Sequence, residues 1–150
     1  MPWKQVMELA LAITIVAGVG AGAVLWNEWQ VDRDFHAAWM LLSRAKAKAR
    51  ESGAGPVMVQ FNGHKAIVED RRGTVIESLR LPTLAEVRYK TTRGDRMIVF
   101  SAGSGQTSPY NIHEHGGDLT FRAWTGYRRS IWVHCTGGVT EGRNDDWTLN

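Results

Sequence analysis

The chain has 150 residues, room for one domain with an appendage, and its 43% hydrophobic and 22% charged residues are ordinary for a folded protein. A net charge of +3 is too mild to require nucleic acid as a partner. The single cysteine, Cys135, rules out an internal disulfide and builds no zinc site without other ligand types.

The N-terminal segment is the most informative. Residues 9–26 read LALAITIVAGVGAGAVLW, with no charge and one polar side chain, Thr14. At ~1.5 Å per residue they cover most of a ~30 Å hydrocarbon layer, so residues 9–26 are expected to meet membrane lipid. Trp3 falls at the near interface and Trp26 and Trp29 at the far one, where an apolar ring with a polar N–H is favoured. Lys4 precedes the span; Glu28, Asp32 and Asp34 follow it, with Arg33 among them. The positive-inside rule then puts the N-terminus in the cytoplasm and the rest outside. A cleaved secretory signal competes, with Lys4 as its basic region, residues 9–17 as its apolar region and Ala21-Gly22-Ala23 as the cleavage site. Glu8 at the start of that apolar run favours a retained span.

Two features of the span bear on packing. Gly18 and Gly22 form a G-x-x-x-G pair that permits close helix contact, and Gly20 lies between them. Three glycines also lower helix propensity by roughly 1 kcal/mol each, so a local melt is the competing expectation, beside the general frequency of small residues in spans. Glu8 needs a counter-charge at an apolar boundary. Lys4, one turn earlier, is one candidate; a cation on a neighbouring subunit is another; an interfacial carboxylate without a role is the third.

Beyond Trp26 the helical pattern continues. Val31, Phe35, Ala38, Leu42, Ala45 and Ala49 recur at spacings of four and three, one amphipathic face that Trp39 and Leu41 broaden. Arg44, Lys46, Lys48 and Arg50 suit a helix C-terminus, and Ser52-Gly53-Ala54-Gly55-Pro56 stops it. The spacing predicts one helix over residues 6–51, about 65–70 Å long; an anchor followed by an independent amphipathic helix is the alternative. The chain divides into residues 1–26 (cytoplasmic end and span), 27–52 (amphipathic half) and 53–150 (extracytoplasmic β domain).

Strands are predicted at residues 57–61 and 65–69 around Asn62-Gly63, then at 74–81, 85–91 and 97–100, the last two separated by a turn at Arg93-Gly94-Asp95. A Gly- and Ser-rich loop at 102–109 follows. Residues 118–124 and 128–135 form a hairpin about Thr125-Gly126, with a short strand at 139–141 and a polar tail from Arg143 that holds Trp147 and Leu149. The fold class is α+β, a long N-terminal helix on a mostly antiparallel β domain.

This order of span with early Glu, long amphipathic helix and strands resembles type IV pilin-like proteins. Leu79-Arg80-Leu81-Pro82, then Ile98-Val99-Phe100-Ser101-Ala102-Gly103-Ser104-Gly105, Ile131-Trp132-Val133 and Gly137-Gly138-Val139, resemble the GspH/FimT class of minor pilins and pseudopilins over nearly the whole chain. The resemblance implies a filament subunit of the bacterial inner membrane, serving type II secretion, type IV pili or DNA uptake, whose partners are other pilin or pseudopilin subunits. It gives Glu8 the role of pairing with a neighbour's amino terminus. Trp3 stands where the family leader ends in Gly.

Other candidate chemistry is thin. His113-Glu114-His115 has metal-binding residue types but reads better as a polar loop or strand edge before Gly116-Gly117. Ser104 lies between glycines without a nucleophile-elbow pattern. Cys135, ending an apolar run, is expected to be a small buried hydrophobe. Arg88, Lys90, Arg93, Arg96, Arg122, Arg128 and Arg129 form either a solvated strand face or a basic face for DNA or an acidic protein. The second option makes the chain a membrane-tethered or secreted binding module. No cofactor motif and no catalytic constellation is recognised, so an enzyme is not expected.

Overall fold

A computed structural model describes residues 3–91, 95–107 and 115–142. The expected turn at Arg93-Gly94, the end of the loop at Pro109, His113-Glu114 and the tail 143–150 lie outside the described residues. Eight strands follow one helix: α1 (Trp3–Arg50), β1 (Val57–Asn62), β2 (Lys65–Glu69), β3 (Val75–Arg80), β4 (Leu84–Thr91), β5 (Ile98–Phe100), β6 (His115–Arg122), β7 (Arg128–Val133) and β8 (Val139–Gly142).

Residues 23–50 contain no Gly or Pro, so nothing in α1 beyond Gly22 interrupts the i→i−4 ladder. Its end is set by chemistry at the C-terminal dipole: Lys48 and Arg50 stand in the last turn, and Gly103 N–H donates to Ala49 O at 2.7 Å. Gly53 follows in a left-handed conformation, φ +76°. The helix spans ~72 Å at the usual rise.

The strands form two antiparallel sheets, ordered β3-β2-β1-β5 and β4-β6-β7-β8. In the first hairpin Asn62 pairs with Lys65, so the tight turn is Gly63-His64, one residue beyond the expected centre. Leu81-Pro82-Thr83 then carries the chain from the first sheet to the second. Leu81 N–H binds His64 O and Leu84 N–H binds Leu81 O.

One buried cluster joins all three layers. The first sheet gives Val57, Val59, Ala66, Val68, Ile98 and Phe100; the second gives Leu119, Phe121, Ile131 and Val133; the helix lays Val31, Phe35, Ala38, Leu41, Leu42, Ala45 and Ala49 against them. Phe35 meets Phe121 edge-on, ring centroids 6.3 Å apart. Arg44 reaches from the helix to Glu77 on β3.

Two local expectations change. Strand β6 starts at His115, three residues before the predicted start, and takes Gly116 and Gly117 into the ladder. A Cβ at Gly116 would run into Val133 O and one at Gly117 into Arg88 O, so these glycines serve close strand approach rather than a loop. Cys135 is exposed, not buried. Strand β7 ends at Val133, and residue 135 lies in the following turn, where its carbonyl accepts Thr107 N–H at 3.0 Å.

Candidate assembly surface

The helix has two halves with opposite surroundings. From Trp3 to Ala23 every residue is exposed, including Val6, Met7, Leu9, Leu11, Ile13, Ile15, Val16 and Val19. This N-terminal part is long and apolar enough to cross a membrane. The helix continues unbroken through Gly18, Gly20 and Gly22, so no melt occurs there, and a Cβ at any of the three would meet open space. Their small side faces are thus available to another helix. Lys4 and Glu8 are both exposed, and among the described residues neither has an ion-pair partner.

The second half is clasped by the head. Val31, Phe35, Ala38, Leu42, Ala45 and Ala49 are all buried, as is Leu41. Asp34 lies on the same stripe and is 1% exposed. Its Oδ1 accepts Arg33 Nη2 at 2.7 Å and Nε at 3.0 Å, and its Oδ2 accepts Thr83 N–H at 2.9 Å and Thr83 Oγ1–H at 2.8 Å. All four bonds of a buried carboxylate are made, which is what its burial requires. Asp34 therefore pins α1 to the crossing between the sheets. Sequence reasoning missed it, although a lone Asp spaced i+3 from Val31 and i−4 from Ala38 on an otherwise apolar stripe is the signal of a buried, bonded carboxylate.

Nearer the span, the turn between β6 and β7 is tied to the helix. Asn27 Oδ1 accepts Trp124 N–H at 2.8 Å, Glu28 Oε1 accepts Thr125 Oγ1–H at 3.1 Å, and Asp32 Oδ1 accepts Tyr127 Oη–H at 2.8 Å. At the other end the two glycine motifs meet. Gly137, φ +75°, lies so close to Gly105 that a Cβ would strike Gly105 O, and Thr107 Oγ1 donates to His134 O at 2.6 Å.

The basic set divides. Strand alternation and register put Arg88, Lys90, Arg122 and Arg128 on the outer face of the second sheet, where all four are exposed. Arg129 does not join them. It pairs with Phe121 across the ladder, on the helix side, with its guanidinium 3.6 Å from the Phe35 ring centroid and bonds to Asp32 (3.1 Å) and Glu141 (2.9 Å). The period of two that buries Ile131 and Val133 forces this, so Arg129 is a clamp between strand and helix. The outer face is also not purely basic. Glu86 pairs with Arg88, and Asp118, nearly buried, lies between β4 and β7; burial raises its carboxyl above the usual range, against the pull of Lys90, Arg88 and His134. Lys90 sits over the Trp132 ring at 5.8 Å.

No family model, no curated protein and no solved structure matches this chain.

Proposed function

We propose that this chain is a minor pilin or pseudopilin of the GspH/FimT class, a structural subunit of a type II secretion pseudopilus or type IV pilus. The observation that carries the proposal is the uncovered half of α1. Nine large aliphatic side chains between Val6 and Leu25 stand 40–72% exposed. At about 1.5–3 kcal/mol for burying each fully, leaving them in water forgoes on the order of 10 kcal/mol, as much as a whole domain's stability. That surface requires lipid or other helices.

In this proposal the chain is a single-pass protein of the bacterial inner membrane, N-terminus cytoplasmic, head periplasmic or on a filament. Assembly withdraws the rods from the bilayer and buries them against one another. Gly18, Gly20 and Gly22 let neighbouring backbones approach, and Glu8 sets axial register by pairing with a cation of the next subunit. The head, built on the buried half of the same helix, is carried rigidly by that register. Replacing Glu8→Ala is expected to abolish incorporation into filaments while the head keeps its near-UV circular dichroism. Wild-type incorporation of that variant, scored by shearing and immunoblotting, overturns the proposal.

A further inference from the structure

Among the described residues, the turn joining β6 to β7 is the part of the head bonded closest to the apolar span. Its partner Asn27 follows directly on Trp26, the last residue of the charge-free run. The head therefore reaches down to the level at which the span ends. The turn is held on both sides. Ala123 N–H binds Tyr127 O and Gly126 N–H binds Ala123 O within it, while Asn27 and Glu28 hold it to the helix.

On this fixed turn Trp124 points outward, 70% exposed. It is not a displaced core residue, because its neighbour Ala123 fills the core position at 2% exposure. Two further indoles stand at the same level: Trp26 and Trp29 stack with centroids 4.9 Å apart, each at least half exposed. The charges around them are sorted. Asp32 is paired with Arg129 and Asp34 with Arg33, while Glu28 keeps its charge and accepts Thr125 Oγ1–H. Arg122 and Arg128 face each other across the last rung before the turn and are exposed. Indoles held outward at the end of an apolar span, beside exposed guanidiniums, match the headgroup layer of a bilayer in depth, amphipathy and charge.

We propose that the β6–β7 turn is a second membrane contact, with Trp124 inserted in the headgroup layer of the bilayer that holds the chain's own helix and Arg122 and Arg128 against anionic headgroups. This rests on the reading of residues 9–26 as a membrane span. Two attachment points fix the tilt of the head over the membrane as well as its distance. A subunit leaving the bilayer for a filament must then release the turn as well as the helix.

The test uses the full chain, one copy per nanodisc, in phosphatidylcholine and phosphatidylglycerol with or without bromine in the upper acyl chain. Emission of wild type minus that of Trp124→Phe gives the Trp124 component; a Trp26→Phe variant gives the Trp26 component. The expected result is that brominated lipid quenches both. A Trp124 component equal in the two kinds of disc, with Trp26 quenched, overturns the second contact and leaves the span standing; Trp124 would then be a surface for another subunit. If neither component is quenched, the span itself is refuted and the inference falls with it. Phe at an exposed turn position leaves the hydrogen bonds of the turn in place, because among the described residues none of them uses the Trp124 side chain.

Discussion

Removing the Asp34 carboxylate is expected to loosen the head from its helix more than any other single polar change. Asp34→Ala deletes four hydrogen bonds and leaves Thr83, 8% exposed, with a backbone N–H and a hydroxyl that have lost their acceptor. An orphaned buried donor costs about 1–3 kcal/mol, and the Thr83 hydroxyl can turn elsewhere where its N–H cannot. The Arg33 partner is a smaller contribution, because its side chain is 45% exposed and water replaces the bond. The sum is about 3 kcal/mol, which for a head of this size lowers the melting temperature by on the order of 10 °C. Asp34→Asn keeps one acceptor oxygen and is expected to cost about half as much. Thermal unfolding of the full chain in detergent, followed by near-UV circular dichroism, measures both. A cycle with Thr83→Val isolates the hydroxyl share. An Asp34→Ala variant within about 0.5 kcal/mol of wild type, the range of ordinary surface changes, refutes the clasp.

Asp118 gives a pH effect of definite sign. Its folded carboxyl holds a proton to higher pH than the unfolded one, so stability is lost as pH rises from the usual aspartate range through the raised folded value. Asp118→Asn is therefore expected to raise the melting temperature at pH 7 and to flatten its fall between acid and neutral pH; a lower melting temperature at pH 7 contradicts the burial argument. Gly137→Ala should cost several kcal/mol, since it strains a left-handed backbone and drives a methyl into Gly105 O, whereas Gly73→Ala, φ +77° with open space, should cost only about 1 kcal/mol. Equal urea midpoints for the two would remove the close approach as the reason. Arg129→Lys keeps the charge but loses the flat contact on Phe35 and the fork between Asp32 and Glu141, with an expected loss of about 1–2 kcal/mol in chemical denaturation.

The long helix was legible because two simple signals overlap along it: a charge-free run and a stripe with a period near 3.6. The strands were legible where alternation is clean, as in Val57-Met58-Val59, and misplaced where side chains give no signal, as at Gly116-Gly117. Arg129 was assigned to the wrong face although the period of two running back from Val133 and Ile131 places it inward; counting basic residues obscured the parity. Division into two sheets left little trace, because the Leu81-Pro82-Thr83 crossing reads like any strand end. The ties of Trp124 to Asn27 and of Thr83 to Asp34 join residues 97 and 49 apart, and local patterns carry no information at that range.

Two carboxylates on one helix face opposite fates, and the contrast bears on assembly. Asp34 is enclosed by its own fold, which supplies a donor for every lone pair it uses. Glu8 lies at the edge of a run that no part of the described chain covers, and the one cation within a helical turn, Lys4, makes no pair with it. With residues 9–26 across a bilayer, Glu8 would sit near the headgroups, where water reaches it and the cost is small; were such helices to pack together, that water would be gone and an unpaired charge would cost several kcal/mol. In the proposed filament, burying these rods therefore favours an axial offset that brings a cation to each Glu8. In that proposal a lone carboxylate near the inner end of the rod adds an axial constraint to the close approach that Gly18, Gly20 and Gly22 permit, which is how one residue can select among offsets.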